Sequence, residues 1–166
     1  YAPYLFENRA AWLATKVPGR LSATVARVVH GDTWEVILAD GSADTVRLTG
    51  VVSPEVRLED PPFQYGIIAS VACLDDWGRR AALHVRSQLE GQAVLLELDP
   101  QAGVRDSLGR LLAHAILDGR DFNASLVELG YARVSTEVQS SRGGRYLAAQ
   151  ALAQKESSGL WQCMAR

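Results

Sequence analysis

The chain has 166 residues, a formal net charge of −2 and a pI of about 5.9, with 48% hydrophobic and 22% charged residues. This length and balance predict one soluble globular domain with a substantial core. A protein that holds nucleic acid mainly by counterion release is usually basic overall, so any nucleic-acid role here has to depend on a local site. No uncharged run is long enough to span a bilayer; we predict no membrane contact, and a monomer.

The N-terminal stretch is predicted to be separate from the main domain. Residues 1–20 carry several aromatic side chains and end in Pro18-Gly19, which is typical of a short extension that packs on the domain and stops at the proline. The domain itself is expected over residues 21–166. Because the chain begins at Tyr1 rather than Met, we expect a processed or trimmed product.

Three strands joined by short turns are predicted next. Residues 21–30 are rich in β-branched side chains, Gly31-Asp32 suits a tight turn, and residues 34–38 alternate apolar with polar or smaller side chains. Asp40-Gly41 is a strong hairpin signal. A third strand, which carries Arg47, follows that turn and completes a meander.

The middle of the chain predicts a long loop and then a helix. Residues 56–76 read as the loop, with Cys73 as a candidate anchor. Asp75 or Asp76 is expected to cap a helix over residues 79–90. The buried stripe predicted for that helix consists of Ala82, Val85 and Leu89.

Two further strands and two further helices are expected in the last third of the chain. Residues 94–98 alternate as a fourth strand, and residues 111–117 form a fifth. Phe122, Leu126 and Leu129 share one face of a helix that ends at Gly130, and an Ala- and Leu-rich helix covers residues 143–158. Five short strands with flanking helices suggest a small β-barrel.

The two cysteines, Cys73 and Cys163, are too few for a Cys-rich zinc module. They are either two buried free thiols or one disulfide, and we favour the disulfide because both fall in predicted connecting segments at helix ends. A disulfide would indicate an oxidising compartment, so we expect a secreted or extracytoplasmic protein.

Three short motifs carry residue types suited to phosphate chemistry. His30-Gly31-Asp32-Thr33 ends the first strand, residues 46–55 place Arg47 and Glu55 around a strand end broken by glycine and proline, and residues 106–110 enter the fifth strand. A rigid cation beside a carboxylate can hold a phosphate and activate a water. A surface salt bridge next to a turn is the alternative interpretation.

In this order and on this strand pattern, the motifs resemble the staphylococcal nuclease (thermonuclease) family. The resemblance covers about residues 21–161 and includes the runs at 108–115, 128–134 and 159–161. It implies an α+β, β-rich fold in which a five-stranded OB-fold barrel carries three flanking helices. It also implies a calcium-dependent phosphodiesterase that hydrolyses DNA and RNA.

The same resemblance assigns roles to individual residues. Asp32 matches the aspartate that binds the metal, and Ser53 matches a residue that supplies a backbone carbonyl to it. Arg47 and Arg110 match the arginines that hold and stabilise the reacting phosphate. Glu55 matches the glutamate that positions or deprotonates the attacking water, with a metal contact through water. These types suit the chemistry, since fixed guanidinium groups bind developing phosphate charge bidentately.

Several positions depart from the family pattern. Val52 stands where the family has its second metal-binding aspartate, and His30 replaces an aspartate near the metal. Ser107-Leu108 replaces a lysine–tyrosine pair, and Thr136 replaces a tyrosine that contacts the substrate phosphate. Calcium prefers roughly six to eight oxygen ligands, several of them anionic, so we expect weak calcium binding or use of another divalent ion. The alternative function is a catalytically weakened or inactive OB-fold domain that binds nucleic acid or protein.

The remaining candidates are more ordinary. His84 and His114 are expected to be packing residues rather than metal ligands, and the four tryptophans are expected in the core. Arg142 and Arg145 form a small basic patch. A solvated helix face is its default interpretation, and contact with a substrate backbone is the alternative.

Overall fold

The computed structural model describes residues 19–54 and 70–164. Most of the predicted N-terminal extension, Glu55 and the greater part of the predicted 56–76 loop lie outside these residues. None of the helices in the described part is both long enough and apolar enough to cross a bilayer.

Eight strands are present in the described residues, and five of them close into a barrel. The first three form the predicted antiparallel meander, and the bounds predicted for the strand at 111–117 are confirmed. In chain order the strands are β1 Arg20–His30, β2 Thr33–Leu38, β3 Ala43–Leu48, β4 Val51–Val52, β5 Ala93–Glu97, β6 Leu111–Leu117, β7 Arg120–Asp121 and β8 Arg133–Val134.

The barrel closes through one parallel pairing. β1 lies between β2 and β5, β5 pairs with β6, and all of these pairings are antiparallel. β3 then pairs with β6 in parallel, which joins the two edges of the sheet. β7 extends β6 as a hairpin, and β4 pairs with β8 in a separate two-stranded sheet. The predicted five-stranded barrel is therefore confirmed.

Inward-facing side chains of alternate strand positions fill the barrel. Trp34 and Val36 are completely buried and Leu38 nearly so, as the alternation of β2 predicts. Trp34 donates from Nε1 to the Gly31 carbonyl at 3.0 Å and packs edge-on against Phe122 at a centroid distance of 5.7 Å. Each large apolar side chain buried in this way contributes about 1.5–3 kcal/mol relative to exposure.

The described residues form three α-helices, α1 Val71–Leu89, α2 Phe122–Glu128 and α3 Gly143–Lys155, and a 3-10 helix over Gly159–Cys163 follows them. α2 ends before Leu129, which is 49% exposed rather than on a buried face. α3 ends three residues earlier than the predicted boundary at residue 158, and the last apolar residues form the 3-10 helix instead.

The start predicted for α1 is wrong by eight residues. The Ser70 hydroxyl accepts a hydrogen bond from the Cys73 backbone N–H at 3.2 Å and so caps the helix there. Asp75 and Asp76 lie inside the helix, where each pairs with the arginine four residues later, at 3.2 and 2.9 Å. The buried stripe also differs, because Ala81 is buried and Ala82 only half-buried. The observed stripe consists of Leu74, Ala81, Val85 and Leu89.

The favoured disulfide is confirmed: Cys73 and Cys163 are bonded, with Cα atoms 5.7 Å apart. The bond joins the first turn of α1 to the 3-10 helix across 90 residues of chain. Leu74, Leu160 and Trp161 form a small apolar cluster around it, apart from the barrel core. The disulfide therefore fixes the outer end of α1 to the C-terminal segment.

Reduction should lower stability without abolishing the barrel core. A 90-residue loop corresponds to about 4 to 5 kcal/mol of chain-entropy stabilisation. We expect the Cys73→Ser/Cys163→Ser variant to show a lower melting temperature than the oxidised protein, and reduction of the wild type to raise its intact mass by two hydrogens. The double variant should not respond to reductant. Two free thiols in protein prepared under oxidising conditions would contradict the assignment.

Candidate functional site

The Asp32 carboxylate, in the turn between β1 and β2, is the centre of the candidate site. The residue is only 2% exposed. Its Oδ2 forms an ion pair with Arg47 Nη1 and accepts a hydrogen bond from the Ser53 backbone N–H at 2.9 Å. Its Oδ1 accepts from the Thr33 hydroxyl at 3.0 Å. Three of the predicted site residues are thus in direct contact.

Strand register explains why Arg47 reaches this carboxylate. Arg47 pairs with Thr33 across the β2–β3 ladder, next to Asp32. The Leu48 N–H also donates to the Asp32 carbonyl at 2.9 Å, which fixes the turn against β3. The Arg47 side chain is 21% exposed, so it is both anchored and reachable from solvent.

Arg110 lies directly before β6, the strand that pairs with the Arg47 strand. Arg47 pairs with Leu112 in the parallel β3–β6 ladder, and Arg110 is two residues before Leu112. Arg47 alternates with the buried Val46 and Leu48, so it lies on the outer face of β3. The intervening pair, Val46 and Leu111, points into the core, as this alternation requires.

A compact turn built on Asp106 holds Arg110. Asp106 Oδ1 accepts from the Leu108 and Arg110 N–H groups at 3.0 and 2.9 Å, and its Oδ2 accepts from Arg110 Nε at 2.7 Å. Gly109 has φ +78°, a left-handed conformation that glycine tolerates. Burial raises the pKa of Asp106, but the hydrogen bonds and charge of Arg110 outweigh burial. The net pKa is lowered, so the carboxylate stays ionised.

Sequence reasoning missed the ion pair that fastens this turn to β3. Arg105 makes two hydrogen bonds to Asp44, at 3.1 and 2.8 Å, and also donates to the Gly109 carbonyl at 2.8 Å. Asp44 is three residues before Arg47 on the same strand. The pair therefore fixes the two arginine-bearing segments relative to each other. The partners are 61 residues apart, and no local spacing indicates their contact.

The described residues do not fit a calcium site. Both oxygens of Asp32 already accept hydrogen bonds or an ion pair, and Ser53 offers its N–H, not its carbonyl, to that carboxylate. Val52 is half-buried and pairs with Arg133 of β8, so an alkyl group stands where a second carboxylate is expected. Within residues 19–54 and 70–164, no group of three or more His, Cys, Asp or Glu is arranged to hold a metal. Glu55 lies outside these residues, and its role remains a prediction.

Helix α1 packs directly behind the site. A Cβ added to Gly78 would lie 2.0 Å from the Pro54 carbonyl oxygen, and one added to Gly31 would lie 3.1 Å from the Cβ atoms of Ala81 and Ser53. These contacts leave no room for larger side chains between α1 and the residues directly after β4, Ser53 and Pro54. His30 lines an adjacent cleft of about 230 Å³ between β1 and α1.

A buried polar network lies apart from the two arginines. His114 contacts Asp99 through Nε2 at 2.9 Å and the Tyr146 hydroxyl through Nδ1 at 2.7 Å, and Tyr146 donates to Asp121 at 2.8 Å. Burial raises the pKa of Asp99, but hydrogen bonds from His114 and Ser141 lower it well below its usual range. Burial lowers the pKa of His114 and raises that of Tyr146. The network fixes the start of α3, in agreement with a structural role for His114.

His84 is also a packing residue. Its ring stacks on Tyr131 with centroids 4.5 Å apart, and burial lowers its pKa. Of the tryptophans in the described residues, Trp34 and Trp161 are buried as predicted. Trp77 is half-buried and carries the Arg80 guanidinium 4.7 Å from its ring centroid.

Comparison with known proteins agrees with this architecture. A sequence model described as staphylococcal nuclease homologue matches residues 45–163. The chain is 33% identical to a thermonuclease of Staphylococcus intermedius over 151 residues, which cover 90% of this chain and 80% of that protein. It is 32% identical over 119 residues to the uncharacterised protein MJ1439 of Methanocaldococcus jannaschii, covering 66% of this chain and 57% of that protein. It is 30% identical over 115 residues to endonuclease YncB of Bacillus subtilis, covering 69% of this chain and 48% of that protein.

The chain therefore belongs to the staphylococcal nuclease family. Relatives named thermonuclease and endonuclease make a nuclease the general expectation for this fold and site. The chain spans only about half to four-fifths of these relatives' own lengths, namely 57%, 80% and 48%.

Replacing Gly78 should test the contact between α1 and the site. Glycine to alanine inside a helix normally stabilises by about 1 kcal/mol. Here the new Cβ would meet the Pro54 carbonyl at 2.0 Å, so we expect Gly78→Ala to destabilise by about 1–3 kcal/mol. Gly144→Ala in α3, where nothing lies within 4 Å, is the matched control and should be neutral or stabilising. Chemical denaturation measures both, and a stabilised Gly78→Ala variant would disprove the tight contact.

Proposed function

We propose that the chain is a phosphodiesterase that hydrolyses DNA and RNA, with Arg47 and Arg110 binding the reacting phosphate. The observation that supports this most is that Arg47 on β3 and Arg110 directly before β6, the strand paired with β3, are each anchored by their own carboxylate. Arg47 uses Nη1 and Arg110 uses Nε for that anchor. A guanidinium has five N–H donors, so each retains donors for phosphate oxygens.

Anchoring matters because the transition state gains negative charge on the phosphate. Donors that are already oriented stabilise this charge without reorganising during the reaction. Asp32 and Asp106 orient the two side chains, and the Asp44–Arg105 pair fixes their separation. The Arg47 and Arg110 side chains are 21% and 27% exposed, which leaves the phosphate a route to both.

Glu55 is the proposed general base. It follows Pro54 directly, two residues after Ser53, whose N–H is bonded to Asp32. In the proposed step, a water oxygen bonds to phosphorus while Glu55 takes the water proton. The bond from phosphorus to the leaving alcohol oxygen breaks, and that oxygen takes a proton from solvent.

Calcium binding is proposed to be weak, because Asp32 is one carboxylate and its oxygens are already engaged by hydrogen-bond donors. We therefore route no step through the ion. The disulfide suits an oxidising, extracytoplasmic compartment, and a monomer in contact with DNA or RNA completes the proposal.

A second candidate function follows from Val52. Val52 puts an alkyl side chain where a metal ligand is expected, and Asp32 is already paired with Arg47. This arrangement also suits an OB-fold domain that binds nucleic acid or protein without cleaving it. Such a domain would keep the phosphate contacts of Arg47 and Arg110 and lack turnover.

Digestion of single-stranded DNA, with calcium and with chelator, distinguishes these functions. We expect wild-type protein to cleave, and Arg110→Ala to lower turnover by about 100-fold or more because transition-state charge loses a donor. Arg27→Ala is the matched control, since Arg27 is an exposed arginine paired with Glu35 elsewhere on the barrel. Undiminished turnover in folded Arg110→Ala would remove Arg110 from the mechanism. Binding without any cleavage by the wild type would favour the second function.

Restoring the carboxylate at position 52 should strengthen calcium binding. We expect Val52→Asp to lower the calcium concentration needed for half-maximal activity or binding by about tenfold, equivalent to about 1.4 kcal/mol. Because Val52 is only half-buried, the change should cost little stability. Calorimetric titration with calcium measures both forms, and Leu152→Asp, an added carboxylate on the exposed face of α3, is the control. Saturation of the wild type at low micromolar calcium would contradict the weak site.

A further inference from the structure

A second concave surface lies at the far end of β6 from Arg110. It is a groove of about 530 Å³ between the β6–β7 hairpin and helices α2 and α3. β6 begins next to Arg110 and ends at Leu117, six residues later, which separates the groove from Arg110 by about 20 Å. The charged residues that line it are Glu97, Arg120, Asp121, Glu128, Arg142 and Arg145.

Three of these charged side chains hold one another, since Arg142 lies between the carboxylates of Glu97 and Asp121, and together they carry one negative charge. Arg142 forms ion pairs with Glu97 and, at 3.1 Å, with Asp121. Asp121 also accepts from the Tyr146 hydroxyl at 2.8 Å and from the Ala124 N–H at 3.0 Å, so its oxygens are fully engaged. Arg142 is therefore a rigid part of the groove wall rather than a cation available to a ligand.

The other two arginines remain available. The Arg145 side chain is 64% exposed, and the Asp121 oxygen beside it is 4.0 Å away. Arg120 is exposed on β7, and the structure gives it no ion pair with any residue it describes. Glu128, exposed at the end of α2, is the carboxylate left opposite them. The side chains left available are therefore two arginines and one carboxylate, while the groove lining as a whole carries three arginines and three carboxylates.

We propose that this groove is a second phosphate-binding site, in which Arg120 and Arg145 hold a backbone phosphate of the same nucleic-acid strand that the Arg47–Arg110 site binds. The identity of the ligand depends on the proposed function. OB folds contact about 4–16 nucleotides of a single strand, so contacts well beyond the reacting phosphate are expected. A chain with net charge −2 has no general attraction for such a strand and needs local sites of this kind.

The basic patch noted in the sequence thus divides in two. Arg142 has a structural role, since it is held by two carboxylates at the start of α3. Arg145, one turn later in α3, lines the same groove as Arg120, a residue that no sequence motif connects with it. The two arginines are 25 residues apart in sequence (145 − 120), and the β6–β7 hairpin and α3 bring them to one groove.

Binding of an oligonucleotide without turnover tests this proposal. We would measure fluorescence anisotropy of a labelled single strand of about 12 nucleotides with the full chain and chelator, and check on a gel that the strand stays intact. We expect Arg120→Gln/Arg145→Gln to weaken binding by about tenfold and to reduce the slope of log affinity against log salt by about 0.7, the value for one lost phosphate contact on a single strand. Glu128→Gln should tighten binding, because it removes the opposing carboxylate.

Matched controls separate this site from the catalytic proposal. Arg86→Gln removes the same charge from a half-exposed arginine on α1, away from the groove, and should leave affinity and slope unchanged. Groove variants that bind like the wild type, while Arg110→Ala loses cleavage, would overturn the second site and leave the proposed function intact. If the groove variants bind the oligonucleotide more weakly and the wild type never cleaves it, the second site is supported and the catalytic proposal is overturned.

Inorganic phosphate distinguishes a strand from a free anion. One outcome would show that the groove takes a free anion and that our assignment to a nucleic-acid strand is wrong. In that outcome, millimolar phosphate binds the wild type but not Arg120→Gln/Arg145→Gln, while both proteins bind the oligonucleotide with the same affinity. Oligonucleotide binding that depends on the two arginines and persists in millimolar phosphate supports the assignment.

Discussion

The buried carboxylate of Asp32 is the interaction on which the candidate site depends. An ionised group that is 2% exposed requires partners, because an unpaired buried charge is strongly unfavourable. Its partners come from three places: Thr33 at the start of β2, Arg47 on β3 and the Ser53 N–H after β4. The need to satisfy one carboxylate therefore draws together the turn, the arginine and the strand end from which Glu55 continues.

The parallel pairing of β3 with β6 adds the second arginine. Antiparallel hairpins place neighbours in sequence side by side, but Arg110 lies 63 positions beyond Arg47 and reaches the site only when the barrel closes. Asp44 and Arg105 reinforce that closure from the outside, with two hydrogen bonds between partly buried groups. The proposed phosphate binding by both arginines thus depends on the fold as a whole rather than on one local motif.

The sequence predicts the barrel strands well because alternation in segments such as residues 34–38 reports directly which face is buried. The sequence-based prediction fails at the start of α1, where the Ser70 hydroxyl caps the helix. Asp75 and Asp76, the predicted caps, lie inside the helix and pair with the arginines four residues later. Family motifs located Asp32, Arg47 and Ser53, which the structure brings into contact. The Asp44–Arg105 ion pair was not predicted, because a contact between residues 61 positions apart leaves no periodic signal in the sequence.

The same ion-pair chemistry separates structural arginines from available ones. Arg142 meets two carboxylates, one of them in a buried network, and has little capacity left for a ligand. Arg47 and Arg110 each meet one carboxylate through one part of the guanidinium group, which fixes direction and leaves donors free. One carboxylate already balances the charge of an arginine, and a second takes up more of its N–H donors. The N–H donors left free at each arginine, together with its place in the fold, rather than its exposure alone, therefore underlie the proposed phosphate contacts.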